Sequence, residues 1–278
     1  MVTVQDITSA VQRMGLSGLP LCVHASLRSF GWVDGGAATV VAGILQQGCT
    51  VVVPTFSWTF AVPPPDRLRR ARNGWDYDKF RGPFPGVGRV YTPDSTEVDK
   101  DEMGVVSAYI AAMPQRLRGN HPLCSFSAVG PLSERLIAGQ TPMHVWAPFE
   151  ALADAGGAVV LMGVGLEKLT LLHLAEQMAG RNPFLRWANA PDGEAAEVQV
   201  GGCSDGFGNL LPVLSPLQTE HRVGESRWLV FPARATLEVA SQAIREIPRL
   251  THCSVAGCGR CNDALLGGPV MHEIGAEG

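Results

Sequence analysis

The chain has 278 residues, 46% of them hydrophobic and 17% charged, with a formal net charge of -4; that is enough sequence to bury a full core in one large or two small domains. The balance excludes a disordered chain and argues against a polyanion binder, so no nucleic-acid partner is expected. No apolar run approaches the roughly 18 residues that cross a bilayer, and the first residues have neither a basic start nor an apolar centre, so the expectation is a cytoplasmic protein without a membrane partner.

Ile7, Ala10, Val11 and Met14 recur at i, i+3, i+4 and i+7, which predicts an amphipathic helix stopped at Gly15. Two short apolar runs follow, "LPLCVHA" (19–25) and "CTVVVPTF" (49–56), with the helical run "AATVVAGILQQG" between them. Strand, loop, helix and strand in that order imply a parallel pair with a right-handed crossover. From 61 to 102 the periodicity disappears into a stretch rich in Pro, Gly and charges of both signs. A loop of that length is usually functional or disordered; its aromatic residues Trp75, Tyr77, Phe80, Phe84 and Tyr91 favour an ordered lid. Helical character returns at "GVVSAYIAAMPQRL", followed by an extended "HPLCSFSAVG" and a short helix "PFEALADAGG". A buried strand, "AVVLMGVG" (158–165), leads through a tight turn into the helix "LTLLHLAEQMAG", closed by Gly180. "AEVQVGG" and "RWLVFPA" read as later strands and "TLEVASQAIREI" as a helix, with no internal repeat or linker. The expected fold is a single α/β domain over 1–278: a largely parallel or mixed central sheet flanked by helices, a lid-like insertion at 61–102, and a Cys-containing C-terminal tail at 250–278.

Three stretches carry residue types suited to chemistry. His173 and Glu176, at i and i+3, share one helix face just after a buried strand, where ligands of parallel α/β sheets bind. A glutamate there can orient an imidazole as a general base; spacing alone equally fits a surface pair or a core histidine. The loop "VHASLRSFGWVDGG" (23–36) joins a strand to a helix through two serines, an arginine and several glycines, so its N–H groups could cradle a phosphate, or its glycines could merely turn the chain. His24 ends the strand at the mouth of this loop. In "THCSVAGCGRC" (251–261), His252, Cys253, Cys258 and Cys261 could hold a structural zinc, or form a turn with reduced thiols. The other cysteines, Cys22, Cys49, Cys124 and Cys203, read as small buried hydrophobes. His121, His144, His221 and His272 are lone loop histidines of structural or solvated type. No G-x-S-x-G, H-E-x-x-H, P-loop or kinase signature occurs.

Taken together, "VHASLRSFGWVDGGAATVV", "GCTVVVPTFSW", "DEMGVVS", "HPLCSFSAVG", "PFEALADAGGAVVLMGVG" and "LTLLHLAE" resemble, in order from about residue 5 to 180, the aminoglycoside 3-N-acetyltransferase family. Its members use acetyl-CoA and do not share the GNAT fold. "CSDGFGNLLPVL" and "GCGRCNDA" resemble family features more weakly. The resemblance implies that Ser26, Leu27, Arg28, Ser29, Gly31, Val33, Asp34, Gly35 and Gly36 receive the pantetheine and pyrophosphate of coenzyme A. It also implies that Ser125 and Phe126 line the thioester arm. It further implies that Thr170 lies near the acetyl carbonyl, that His173 is the base oriented by Glu176, and that His24 sits at the junction. Asp205, Asp76 and Asp78 are the implied acids for a polycationic acceptor, since the positions before "CSDGF" read Val200, Gly201 and Gly202 here. The implied activity is direct N-acetylation of an aminoglycoside, conferring antibiotic resistance; the oligomeric state stays open, with a homodimer as one possibility. Acetylation of another natural-product amine, a non-catalytic coenzyme A-binding homologue, and a covalent route through Cys22 or Cys124 stay open at this point.

Overall fold

The computed structural model describes residues 1–79, 82 and 84–271. Phe80, His272 and the end of the C-terminal tail therefore lie outside the described residues. The strands are β1 (Pro20–Ala25), β2 (Thr50–Pro54), β3 (Leu117–Arg118), β4 (Phe126–Val129), β5 (Ala158–Met162), β6 (Phe184–Asn189), β7 (Ala195–Val200), β8 (Thr219–Val223) and β9 (Ser226–Pro232). The helices are α1 (Val4–Arg13), α2 (Ala37–Leu45), α3 (Lys100–Ala111), α4 (Ser133–Ile137), α5 (Ala147–Asp154), α6 (Leu171–Met178), α7 (Leu211–Leu214), α8 (Ala233–Glu246) and α9 (Gly259–Leu265).

Seven strands form one mixed sheet in the order β3-β4-β2-β1-β5-β9-β8. At its centre β2, β1 and β5 run parallel, as the strand-helix-strand pattern requires. The flanking strands β4 and β9 are antiparallel to β2 and β5. Alternation along the central strands divides the interior in two. Leu21, Val23, Val51, Val53, Val160 and Met162 pack with the helices α1, α2 and α3 on one face. Cys22, Val52, Val159 and Leu161 pack with α5, α6 and α8 on the other. Because side chains two apart share a face, His24 points the same way as Cys22, towards the α6 side; the two touch at 3.7 Å.

Among the elements that differ from the sequence reading are β6, β8 and α3. The β6–β7 hairpin forms a separate two-stranded sheet, and β6 was not anticipated because "FLRWAN" is buried along almost its whole length, Arg186 included, and so shows no polar alternation. The polar edge strand β8 escaped for the opposite reason, being mostly exposed. Helix α3 starts four residues before Gly104 and kinks there, where φ is 79°. A side chain at Gly104 would also press within 3.3 Å of the Ala25 carbonyl, so a glycine lets this helix meet the end of β1.

The 61–102 segment is docked against the rest of the chain rather than detached. Asn73 is buried and exchanges hydrogen bonds with the Leu185 main chain at 2.8 and 3.0 Å. Trp75 and Tyr77 pack on Trp187, and the Arg186 guanidinium lies 4.4 Å from the centre of the Trp75 ring. Tyr91 is buried, with its hydroxyl donating to the Gly119 carbonyl at 2.6 Å.

Candidate active site

Strand pairing brings the two predicted halves of the site together. β1 and β5 are parallel neighbours, with Ala25 opposite Met162, so the loops leaving their carboxyl ends are adjacent. The chain turns to β2 on one side of β1 and comes back to β5 on the other, and such switch points open a crevice beyond the strand ends. The two loops are in contact: Ser26 N–H donates to the Met162 carbonyl at 2.9 Å. A Cβ at Gly163, where φ is 67°, would fall 2.0 Å from the Ser29 hydroxyl oxygen.

His173 projects from the first turn of α6 and is buried, 9% exposed. The Trp146 ring stacks on it at 5.4 Å between centres, and Phe207 meets it edge-on at 4.8 Å. Nδ1 lies 2.9 Å from Glu176 Oε2. The other carboxylate oxygen accepts from Arg181 Nη1 at 2.6 Å and from the Thr251 hydroxyl at 3.0 Å. Thr251 accepts from the same guanidinium at 2.6 Å. A carboxylate held by arginine accepts, so Nδ1 is the donor of this bond, and in the neutral form of the ring the lone pair lies on Nε2. Gly201 covers that edge of the ring: a Cβ there would stand 2.8 Å from both Nε2 and Cδ2.

His24 is also buried, at the end of β1. Desolvation, with a smaller contribution from the charge of Lys168, depresses its pKa to about 3, so it is a neutral imidazole. Thr170 begins α6, with its hydroxyl donating to the Lys168 carbonyl at 3.4 Å. His121 is the structural histidine expected from its loop: Nδ1 accepts from the Cys124 and Leu123 N–H groups at 2.8 and 3.2 Å, and Nε2 contacts the Gln199 carbonyl at 2.7 Å.

In the 26–36 loop, Leu27–Phe30 form a 3-10 turn and Arg28 is exposed. Gly31, Gly35 and Gly36 all have positive φ. Gly36 precedes α2, whose first turn receives no side-chain cap, and such N–H groups form an anion site. Asp34 is exposed, whereas Val33 is buried beside Val2 and its carbonyl accepts from the Gly36 N–H at 3.2 Å. The Ser29 hydroxyl is already occupied by the Ser26 carbonyl and Ser226.

Ser125 and Phe126 are fully buried. Ser125 accepts from Arg118 Nε at 2.9 Å, and Phe126 packs on Phe56, Phe149 and Trp146. Phe126 thus stands behind Trp146, which in turn backs His173. Cys22 and Cys124 are wholly buried too; desolvation raises the first thiol strongly and pushes the second up to about 12, which makes both poor nucleophiles.

Of the acids expected at the acceptor side, Asp205 is exposed two residues before Phe207. Asp76 is paired with Lys79 at 2.8 Å, and Asp78 is exposed in the same turn. Asp101 and Glu102, unremarked in the sequence, are exposed in the first turn of α3, which the Gly104 contact brings to the end of β1. The expected metal set is corrected at one position. His252 turns Nδ1 to the Cys253 carbonyl and Nε2 to Asn262, at 2.7 and 3.0 Å, and the sulfur that joins Cys253, Cys258 and Cys261 is that of Cys203.

Residues 22–245 match the Aminoglycoside 3-N-acetyltransferase family. Aminoglycoside N(3)-acetyltransferase III of Salmonella sp is 34% identical over 208 residues, covering 70% of this chain and 69% of the relative. The crystal structure of aminoglycoside acetyltransferase AAC(3)-IVa as apoenzyme superposes with a TM-score of 0.74 at 26% identity, over 96% of this chain and 97% of that one. AAC-IIIb as its binary complex with CoASH has the same fold, with a TM-score of 0.70 at 21% identity over 88% of this chain and 96% of that one. Among the described residues no helix is long and apolar enough to cross a membrane.

Proposed function

The chain belongs to the aminoglycoside 3-N-acetyltransferase family of acyltransferases, and we propose that it transfers the acetyl group of acetyl-CoA directly to the 3-amine of an aminoglycoside, with His173 as general base. The observation that carries this reading is the Nδ1–Glu176 bond of a buried imidazole at the switch point of the sheet. An ammonium has no lone pair with which to attack a carbonyl. A base with its own proton fixed on Nδ1 can take the amine's proton at Nε2 as the new bond forms. Arg181 and Thr251 hold the Glu176 carboxylate aimed at the ring. Trp146, Phe207 and the Gly201 main chain exclude water from the ring.

Acetyl-CoA supplies the activated thioester. The uncapped first turn of α2 and the positive-φ backbone at Gly35 and Gly36 fit its phosphates, and Arg28 would add a charge-assisted contact. AAC-IIIb, which has this fold, forms a binary complex with CoASH, which supports coenzyme A as the cosubstrate. His24 and Thr170 border the junction of the two loops, where the thioester carbonyl would lie. Asp205, two residues before Phe207, and Asp101 and Glu102, in the first turn of α3, are the exposed acids we assign to a polycationic acceptor.

Following free thiol released from acetyl-CoA against a panel of aminoglycosides tests the reading. Turnover with members carrying a 3-amine, lost when that amine is blocked, is expected. Turnover only with other amines would transfer the chemistry to a different acceptor; coenzyme A binding without turnover on any amine would reduce the chain to a binding homologue.

A further inference from the structure

We propose that Cys203, Cys253, Cys258 and Cys261 bind one zinc ion as four thiolates, in a closed structural site that fastens the C-terminal segment beside the His173–Glu176 pair. The four sulfur atoms lie within 4.8 Å of one another. Sulfurs bound tetrahedrally at about 2.3 Å from zinc stand about 3.8 Å apart, so only a small contraction separates this cluster from a coordination shell. Cys203, Cys253 and Cys261 are buried and Cys258 is partly exposed, the arrangement of an enclosed site with an entry path.

The sulfurs come from three separate places: the turn after β7, the segment following the 3-10 turn Pro248–Thr251, and the Cys-x-x-Cys that opens α9. All four are free thiols, none in a disulfide. Packing alone gives no reason for four soft ligands to converge on one point from positions this far apart in sequence. Four sulfurs in a tetrahedron select zinc among common divalent ions and leave no open position, hence a structural role. The Cys253 N–H already donates to Cys261 Sγ at 3.5 Å, an outer contact of the kind that supports a bound thiolate. On binding, each thiol gives up its proton and the sulfur–zinc bonds replace the S–H bonds. The Cys203 contact to the Asp205 carboxylate at 3.5 Å, which uses that proton, is lost. Arg260, beside Cys261, brings positive charge to the resulting dianionic centre.

The cluster abuts the proposed catalytic pair without being part of it. A cavity of about 10 Å³ has Glu176 and Thr251 on one side and Cys203 and Cys261 on the other. A single residue separates Gly201, which lies on His173, from Cys203, and a single residue separates Thr251, which holds Glu176, from Cys253. On α9, Asp263 accepts from the Gly74 N–H at 2.7 Å, so the same knuckle anchors the 61–102 segment. The metal would set the distance between these three pieces whatever the reaction proves to be.

The test uses the full-length chain, untagged so that no histidine tag contributes metal, purified from zinc-supplemented culture. Plasma emission analysis should find about one zinc per chain, and titrating the thiols with an organomercurial should release it as four cysteines react. Cys203→Ser should lower zinc below about a fifth of that value while His252→Ala retains it in full. If Cys203→Ser fails to fold, zinc release from the unaltered chain still decides. Four freely reactive thiols or two disulfides with no zinc taken up on incubation would overturn the site. Iron in place of zinc, or loss of metal in His252→Ala but not in Cys203→Ser, would overturn the assignment of ion or ligands.

Discussion

His173 and His121 are both interior histidines on the α6 side of the sheet, yet their surroundings make them opposite in character. Around His121 both ring nitrogens are consumed by main-chain groups, two N–H donors on Nδ1 and a carbonyl on Nε2. Around His173 one nitrogen meets the Glu176 side chain while the other faces a glycine whose added Cβ would crowd it. Burial therefore does not separate the proposed base from a structural histidine. The distinction lies in whether a nitrogen keeps a lone pair and what controls its tautomer.

Replacing His173 by Ala should reduce turnover by roughly 10²- to 10⁴-fold with the fold retained, whereas His121→Ala should lower the melting temperature and leave turnover per folded molecule within a few-fold. Steady-state kinetics beside calorimetry measure both; equal losses in the two variants would erase the contrast. Glu176→Gln should be nearly as severe as His173→Ala. Arg181 and Thr251 hold the amide oxygen where Oε1 now sits, so the amide nitrogen faces Nδ1 and forces the proton to Nε2, a tautomer error of the kind that costs up to about 10⁴-fold in a catalytic triad. Activity close to the unaltered enzyme would show that the carboxylate does not set the tautomer.

Gly201→Ala places a methyl against Nε2 and should cost on the order of 10²-fold in kcat, as a displacement of about 1 Å does elsewhere, with coenzyme A affinity unchanged by calorimetry. Arg181→Met leaves a buried carboxylate short of its cation and should destabilise the chain by about 3 kcal/mol in urea titration, with a smaller kinetic effect.

The smallest effect concerns pH. Burial lowers His24 to about 3 and His121 to about 4, below the ordinary histidine value of 6.5. The unfolded chain then binds protons that the folded chain refuses, so the stability these residues contribute is complete above pH 6.5 and declines as pH falls towards 4 and 3. Urea midpoints should drop between pH 7 and 5, less so in His121→Asn; a flat profile in the unaltered chain would contradict the neutral burial of both.

Much of the frame was legible because it repeats at the scale of single elements. The 3.6-residue spacing in α1 and the apolar runs of β1, β2 and β5 each report burial directly, and His173 and Glu176 share a face by helix geometry alone. What escaped has a common cause. β6 buries an arginine over a tryptophan and β8 lies at an exposed edge, so neither alternates. Trp146 and Phe207 meet the histidine, and Arg181 and Thr251 meet its glutamate, from separate parts of the chain, and no local pattern encodes their meeting. Phe126 matched a family position, but only its packing places it behind Trp146.

The sequence by itself determined an α/β chain with a His-Glu pair after a buried strand, a glycine-rich strand-to-helix loop and a cysteine-rich tail, because these depend on neighbours within a turn or two of backbone. Tertiary structure decided the rest: that β5 lies against β1 and so unites the two loops, that an arginine and a threonine fix the carboxylate, and that the fourth sulfur is Cys203 rather than the imidazole of His252. Those choices depend on groups far apart in the chain, such as Ala25 and Met162 or Glu176 and Thr251, and only closure of the sheet and its layers brings them together.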